Sequence, residues 1–274
     1  MKRVIRLFPA CLLAAAALFL NSCSYAPDAG VLLREAISNA NSITSCSTAI
    51  RQELVFTSND SQHSYSSENQ IIYMAEPFAL KSVQKVQADG EDSSNETYTV
   101  TEGDKLFFYC KLNDVWQKTD AGNMDTSPAA QLDILRVLNR SENQKYVREM
   151  TLNSRKVHKI ELKLSNEVLR STVETIATVT GMTDNSSTVV QTLLNSAPDL
   201  YGYCYIDTQT GNFVRMEADL TDAINQIFQN IDGNSVSVHV TKCTISGNID
   251  NIGTAPSVIL PNEAKNASSI QAYG

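Results

Sequence analysis

From residue 31 onward the apolar positions follow two patterns, alternation over most of the chain and three- or four-residue spacing in a few stretches. Alternation places every second side chain on one face of a strand, and the wider spacing builds one face of a helix. Residues 31–41 carry Leu33, Ala36, Ile37 and Ala40 at helical spacing and predict a first helix. A strand-rich tract follows. Residues 46–57 hold Ile50, Leu54 and Phe56, Asn59-Asp60-Ser61 supplies turn chemistry, and residues 65–74 predict the returning strand. Glu76-Pro77 interrupts the chain, residues 78–86 are expected to be extended, and residues 89–95 read as a polar loop. Residues 98–100 and 105–111 flank Glu102-Gly103-Asp104 and predict a hairpin, after which Asn113-Asp114 turns the chain into a strand over 115–118.

Ser127-Pro128 marks a helix start, because Ser caps the free amides and Pro fits the first helical position, where no donor is needed. Leu132, Leu135 and Leu138 line one face of that helix. Strands over 146–152 and 157–164 meet at Asn153-Ser154, with Ile160, Leu162 and Leu164 alternating. Two helices follow, one through Leu169, Val173, Ile176 and Ala177 to Gly181, the other through Val189, Val190, Leu193 and Leu194 to just before Pro198. Strands over 200–206 and 212–220, a short helix with Ile224, Ile227, Phe228 and Ile231, and a long strand over 236–245 complete the pattern. Strands joined by short hairpins, with helices set between strand groups, define an α+β fold, a large curved antiparallel β-sheet covered on one side by helices.

The first residues carry a different message. Lys2, Arg3 and Arg6 precede an apolar run over 7–20 broken only by Pro9, the layout of a secretory signal and too short for a membrane span. Leu20-Asn21-Ser22-Cys23 closes it and resembles a bacterial lipobox, although Asn21 stands where a small residue is more usual. In a lipobox the cysteine thiol receives a diacylglyceryl group before cleavage. The resemblance implies a lipoprotein signal peptide over 1–22, lipidation at Cys23 and a tether over 23–30, and the pattern beyond it predicts one domain over 31–262 and a flexible tail over 263–274. No other apolar stretch approaches a membrane span, so the lipid is the expected anchor and the extracytoplasmic face of the bacterial cell membrane the expected location.

Composition narrows the partners. Hydrophobic residues make up 42% of the chain, enough for a packed core and against global disorder. Lys2, Arg3 and Arg6 leave with the signal, so the formal charge of −8 becomes −11 from Cys23 onward. That sign argues against nucleic acid as a partner and against a basic face docking on anionic lipid. Cys11 also leaves with the signal, which leaves Cys46, Cys110, Cys204 and Cys243 beyond Cys23. Outside the cell an even count permits two disulfides in three pairings. Cys204 with Cys243 is the first choice, since both lie in the C-terminal strand cluster, and Cys46 with Cys110 then follows; buried thiols are the alternative.

Catalytic and metal-binding patterns do not stand out. His63, His158 and His239 sit in or beside strands with no carboxylate or cysteine at a motif spacing, and no nucleophile elbow, phosphate loop or calcium loop occurs. Without Cys-x-x-Cys or His-x-x-x-His spacing, no metal and no cofactor is expected. Glu102 and Asp104 flank Gly103 as turn residues, and Asp89 to Asp92 read as a solvated loop. Phe107, Phe108, Tyr109 and Trp116 gather on the predicted hairpin, and Tyr201, Tyr203 and Tyr205 share one strand face; each set suits either a ligand groove or packing.

Several short segments resemble the LolA-like lipoproteins of Gram-positive bacteria. These are Glu76-Pro77-Phe78-Ala79-Leu80-Lys81, the hairpin from Tyr98 to Tyr109, Val115-Trp116-Gln117-Lys118, and Ile259-Leu260-Pro261-Asn262-Glu263-Ala264. The resemblance implies a half-barrel whose concave face is covered by helices, as in the LolA and LppX/LprG types, which hold acyl chains against apolar walls. It implies no catalytic residue and transfers no ligand-binding residue. Two functions are therefore expected in order: a non-enzymatic, membrane-anchored lipoprotein that binds a lipid or other hydrophobic ligand, or an envelope sensor or interaction module with a protein partner. A hydrolase built on His158 or His239 with a serine and a carboxylate is a third.

Overall fold

A computed structural model describes residues 26–181, 186–229 and 237–269. Helix α1 (Ala29–Asn41) starts at Asp28, whose side chain accepts the Val31 amide. Six strands then form an uninterrupted meander: β1 (Ser45–Ser58), β2 (Ser61–Met74), β3 (Ala79–Ala88), β4 (Glu91–Glu102), β5 (Lys105–Leu112) and β6 (Val115–Asp120). Next come α2 (Pro128–Gln131), α3 (Asp133–Asn139), β7 (Glu142–Leu152), β8 (Arg155–Leu164), a 3₁₀ turn (Asn166–Leu169), α4 (Arg170–Val179) and α5 (Ser186–Asn195). The chain ends with β9 (Leu200–Asp207), β10 (Phe213–Asp219), α6 (Thr221–Gln229), β11 (Val238–Asp250), α7 (Asn262–Lys265) and β12 (Ser268–Ser269).

All strands join one open sheet in the order β12-β6-β5-β4-β3-β2-β1-β11-β10-β9-β8-β7. Eleven are antiparallel; the two-residue β12 adds to β6 in parallel. Each half is a local meander, and β1 against β11 is the seam between them. The tight turns are made by residues that tolerate a left-handed backbone: Asn59 and Asp60, Asn113 and Asp114, and Asn153 and Ser154 all have positive φ.

One face of the sheet carries the helices. Cys46, Leu54 and Phe56 of β1, Ile160 and Leu162 of β8, and Cys204 and Ile206 of β9 meet Leu33 and Ala36 of α1, Ile134 and Leu138 of α3, Val173 and Ile176 of α4, and Ile224 and Ile227 of α6 in one core. Full burial of a side chain of this size contributes roughly 1.5–3 kcal/mol, so the helices are held by packing more than by their own propensity. The opposite face has two smaller clusters. Tyr98, Tyr109 and Trp116 pack with Leu260 and Ala264 of the returning tail, and Val157, Tyr205 and Val214 form the other.

Four expectations change. The polar stretch 89–95 is a loop only at Asp89-Gly90: residues 91–95 are strand, with Ser94 opposite Lys85 and Asn95 opposite Gln84. These positions are polar on both faces, which hides the alternation. The helix predicted from Ser127 is two short ones, because Leu132 takes an extended backbone between them, though Leu132, Leu135 and Leu138 are each 1% exposed. The tail expected to be flexible from residue 263 instead forms α7 and β12 as far as residue 269, with Ala264 buried.

The fourth concerns the cysteines. Cys46, Cys110, Cys204 and Cys243 are all free thiols. Cys204 pairs with Met216 and Met216 with Gly247, so Cys243 is two strands away and four residues along, about 14 Å by strand rise alone. Cys46 is aligned through Tyr73, Leu80 and Thr99 to Phe108, so Cys110 lies four strands away, about 19 Å. A disulfide requires Cα atoms within about 7 Å.

Candidate functional site

A cleft of about 430 Å³ lies where α4 overhangs the β1–β2 hairpin and the β3–β4 turn. Helix α4 buries Thr172, Val173, Ile176 and Ala177 against the sheet, and Gln52 donates to the Thr172 hydroxyl at 2.6 Å. That anchorage turns Ser171, Glu174, Thr175 and Thr178 toward the cleft. Thr175 and Thr178 donate their hydroxyls to the carbonyls of Ser171 and Glu174, both at 2.8 Å, which leaves their methyl groups as the free part of the wall. Val179, at the end of the helix, is 44% exposed at the rim.

The sheet supplies the floor. Phe56 is buried, and the His63 ring stacks on it at 5.1 Å between centroids and 30° between planes. Tyr65 and Ala88, opposite one another on β2 and β3, extend the apolar surface. His63 Nδ1 is 2.8 Å from Asp89 Oδ2, and Asp89 Oδ1 accepts the Ser64 amide at 2.7 Å. The hydrogen bond from His63, then that from the Ser64 amide, holds the Asp89 carboxyl below its ordinary range, so Asp89 is a carboxylate at the mouth. The cleft lies within the volume range of small-molecule sites, and its aromatic floor with few polar groups is the usual composition of one.

Two other clefts are more polar. One of about 480 Å³ is lined by Arg51, Glu53, Glu68, Lys85 and Asp92, with Arg51 and Glu68 already paired at 2.8 Å. The other, of about 560 Å³, lies between Asp104, Lys105, Asp120 and Met124.

The remaining sequence candidates are dispersed. His158 is half-buried on β8 with Nδ1 3.5 Å from the Tyr146 hydroxyl, and His239 is exposed on β11. Glu102 is a partner, not half of a carboxylate pair: it accepts from Lys118 at 2.6 Å and from the Tyr109 hydroxyl. Tyr109 and Trp116 are packed under the tail, and Lys118 stands 3.9 Å above the Phe107 ring. Tyr205 is buried and donates to Glu217, Lys159 covers Tyr203 at 3.6 Å, and Tyr201 is exposed. Phe107, Tyr109, Tyr203 and Tyr205 are therefore engaged by the protein's own cations and carboxylates, whereas Phe108 and Tyr201 are exposed. Cys23 lies outside the described residues. No group of three or more His, Cys, Asp or Glu able to hold a metal ion occurs among the described residues, and no described helix is long and apolar enough to cross a membrane.

His63 and Asp89 are 26 positions apart in the sequence and meet only in the folded sheet. The signal was the β2–β3 register: a strand that returns through Asp89-Gly90 brings that turn beside residues 63–65.

No family model matches the chain, and no curated protein matches it. Among solved structures it is similar to the Mycobacterium tuberculosis lipoprotein LppX, at 14% identity over 85% of this chain and 99% of that one, with a TM-score of 0.41. It is similar also to LprF from Mycobacterium bovis, at 14% identity over 86% and 97% of the two chains, with a TM-score of 0.45. A LolA superfamily protein from Nitrosomonas europaea aligns at 10% identity over 87% and 97%, with a TM-score of 0.21. The architecture is a broad, open antiparallel sheet with its helices on one face.

Proposed function

We propose that the protein is a non-enzymatic, extracytoplasmic lipoprotein, anchored through Cys23, that holds one hydrophobic or amphipathic ligand in the cleft between α4 and the β1–β2 hairpin. The observation that carries the ligand reading is the cleft itself, where Phe56, Tyr65, Ala88 and an exposed Val179 surround about 430 Å³. The basic n-region, short apolar run and Leu20-Asn21-Ser22-Cys23 support the anchor. Binding of this kind asks only for apolar walls and a shaped mouth, consistent with histidines that sit apart from one another on the sheet.

Native mass spectrometry tests it, on the chain from Ser24 onward purified without detergent from a lipid-containing host. All described elements lie between residues 26 and 269, so this chain carries the whole described fold. A reproducible added mass that organic solvent releases, and that Val179→Asp removes, is the expected result. A clean apo mass before and after incubation with lipids would overturn the ligand reading.

A second reading, an interaction module, has its own observation. Phe108, Leu112 and Val115 lie on the helix-bearing face beyond the reach of the helices and are 36%, 60% and 59% exposed. An apo cleft together with a crosslinked envelope protein on β5–β6 would favour it.

A further inference from the structure

The charged groups around the cleft are unevenly distributed. Asp89 and Glu174 are the acidic residues that line it, and no lysine or arginine does so among the described residues. Asp89 is held as a carboxylate, its two oxygens fixed by His63 and the Ser64 amide. Glu174 faces it from α4. Its nearest cation, Arg170, is 3.9 Å away and makes its two shorter bonds, at 2.9 and 3.0 Å, to Glu167. Two of the lining hydroxyls, those of Thr175 and Thr178, donate to backbone carbonyls, which leaves the neutral hydroxyls of Ser64, Tyr65 and Ser171 as donors. The aromatic side chains of His63 and Tyr65 line the same cleft.

A carboxylate, phosphate or sulfate headgroup entering here meets two negative charges with no lysine or arginine among the lining residues to offset them. A cationic headgroup meets two carboxylates and aromatic faces, both of which favour it. Resting on the reading of this cleft as a hydrophobe site, we propose that its ligand is a cationic amphiphile: an amine or quaternary ammonium at the mouth, between Asp89 and Glu174, and an alkyl chain along Phe56, Ala88 and Val179.

The test is a headgroup series on one tail. Dodecyltrimethylammonium, dodecyl maltoside and dodecanoate are titrated below their micelle concentrations into the chain from Ser24 onward, by isothermal titration calorimetry at low and moderate salt. The cation should bind about tenfold tighter than the neutral maltoside, with dodecanoate weakest, the expected sum of one cation–π contact and one exposed ion pair. Added salt should shrink that ratio. Glu174→Gln, at an exposed helix position, should remove most of the preference, read as the ratio of the two affinities measured on that variant. Equal affinity for the three, or tighter dodecanoate, overturns the headgroup assignment and leaves the hydrophobe cleft standing. No binding of any of them, with the fold intact by circular dichroism, overturns both.

Discussion

Ile134 of α3 occupies the space above Gly247 of β11: a Cβ on that glycine would lie 2.5 Å from Ile134 Cδ1. Ile134 is 1% exposed and has no solvent to retreat into, so the missing side chain at residue 247 is what lets α3 settle onto the centre of the sheet. Gly247→Val should destabilise the protein by about 1–3 kcal/mol through overpacking. Urea denaturation followed by circular dichroism measures it, and Ile134→Ala in the same chain should recover part of the loss. Full additivity of the two changes would mean that the contact is not the cause.

The thiols make a separable prediction. Burial pushes the Cys46 and Cys204 thiols up to about 12 and Cys243 to about 11, so at neutral pH they are protonated and shielded. Cys110, half-buried on β5, is the accessible one. Native protein from Ser24 onward should react with an aromatic disulfide reagent at one thiol quickly, and at all four only after unfolding without reductant. Detecting two or fewer thiols in the unfolded, unreduced chain would restore a disulfide.

Acid should loosen the outer aromatic cluster before the main core. Hydrogen bonds from Lys118 and Tyr109 hold the Glu102 carboxyl below the usual range, and one from Lys81 does the same for Glu96. A carboxyl depressed in the folded state contributes stability that is present above its unfolded value, about 4.3, and lost as pH falls through its lower folded value. Trp116, the only tryptophan, is buried beside Tyr98 and under Leu260, so its emission reports this event. Emission should stay constant from neutral pH to about 5 and shift red below about 4. Glu102→Gln should flatten that acid limb; an unchanged limb would place its cause elsewhere.

The anchor is testable in cells. Cys23→Ser should move the protein from the membrane fraction to the soluble extracytoplasmic one on fractionation and immunoblotting. A variant that stays with the membrane would show another attachment.

Local chemistry explains what was legible in the chain. Asn-Asp and Asn-Ser pairs mark turns because these side chains tolerate positive φ, and Leu132, Leu135 and Leu138 mark a buried face because only burial repays that spacing. Partners far apart in sequence were not legible. Strand β10 and a four-residue offset along β11 separate Cys204 from Cys243, and nothing in a period-two pattern says which strand lies next to which. Residues 91–95 were lost for the opposite reason: a strand exposed on both faces has no apolar period to read. The cleft needed two such facts at once, the β2–β3 register that joins His63 to Asp89 and the crossing of α4 above them.

The seam also sets an order of events during synthesis. A chain emerges N-terminus first, and β1 to β6 can pair with their neighbours as they appear. The far side of β1 must wait for β11: Thr57 and His239, joined across the seam, are 182 residues apart. Until then a fourteen-residue strand, with Leu54 and Phe56 on its face, has one bare edge. Bare edges recruit foreign strands. The interval before β11 arrives thus leaves β1 open to foreign strands, and a holding chaperone would find a binding surface there.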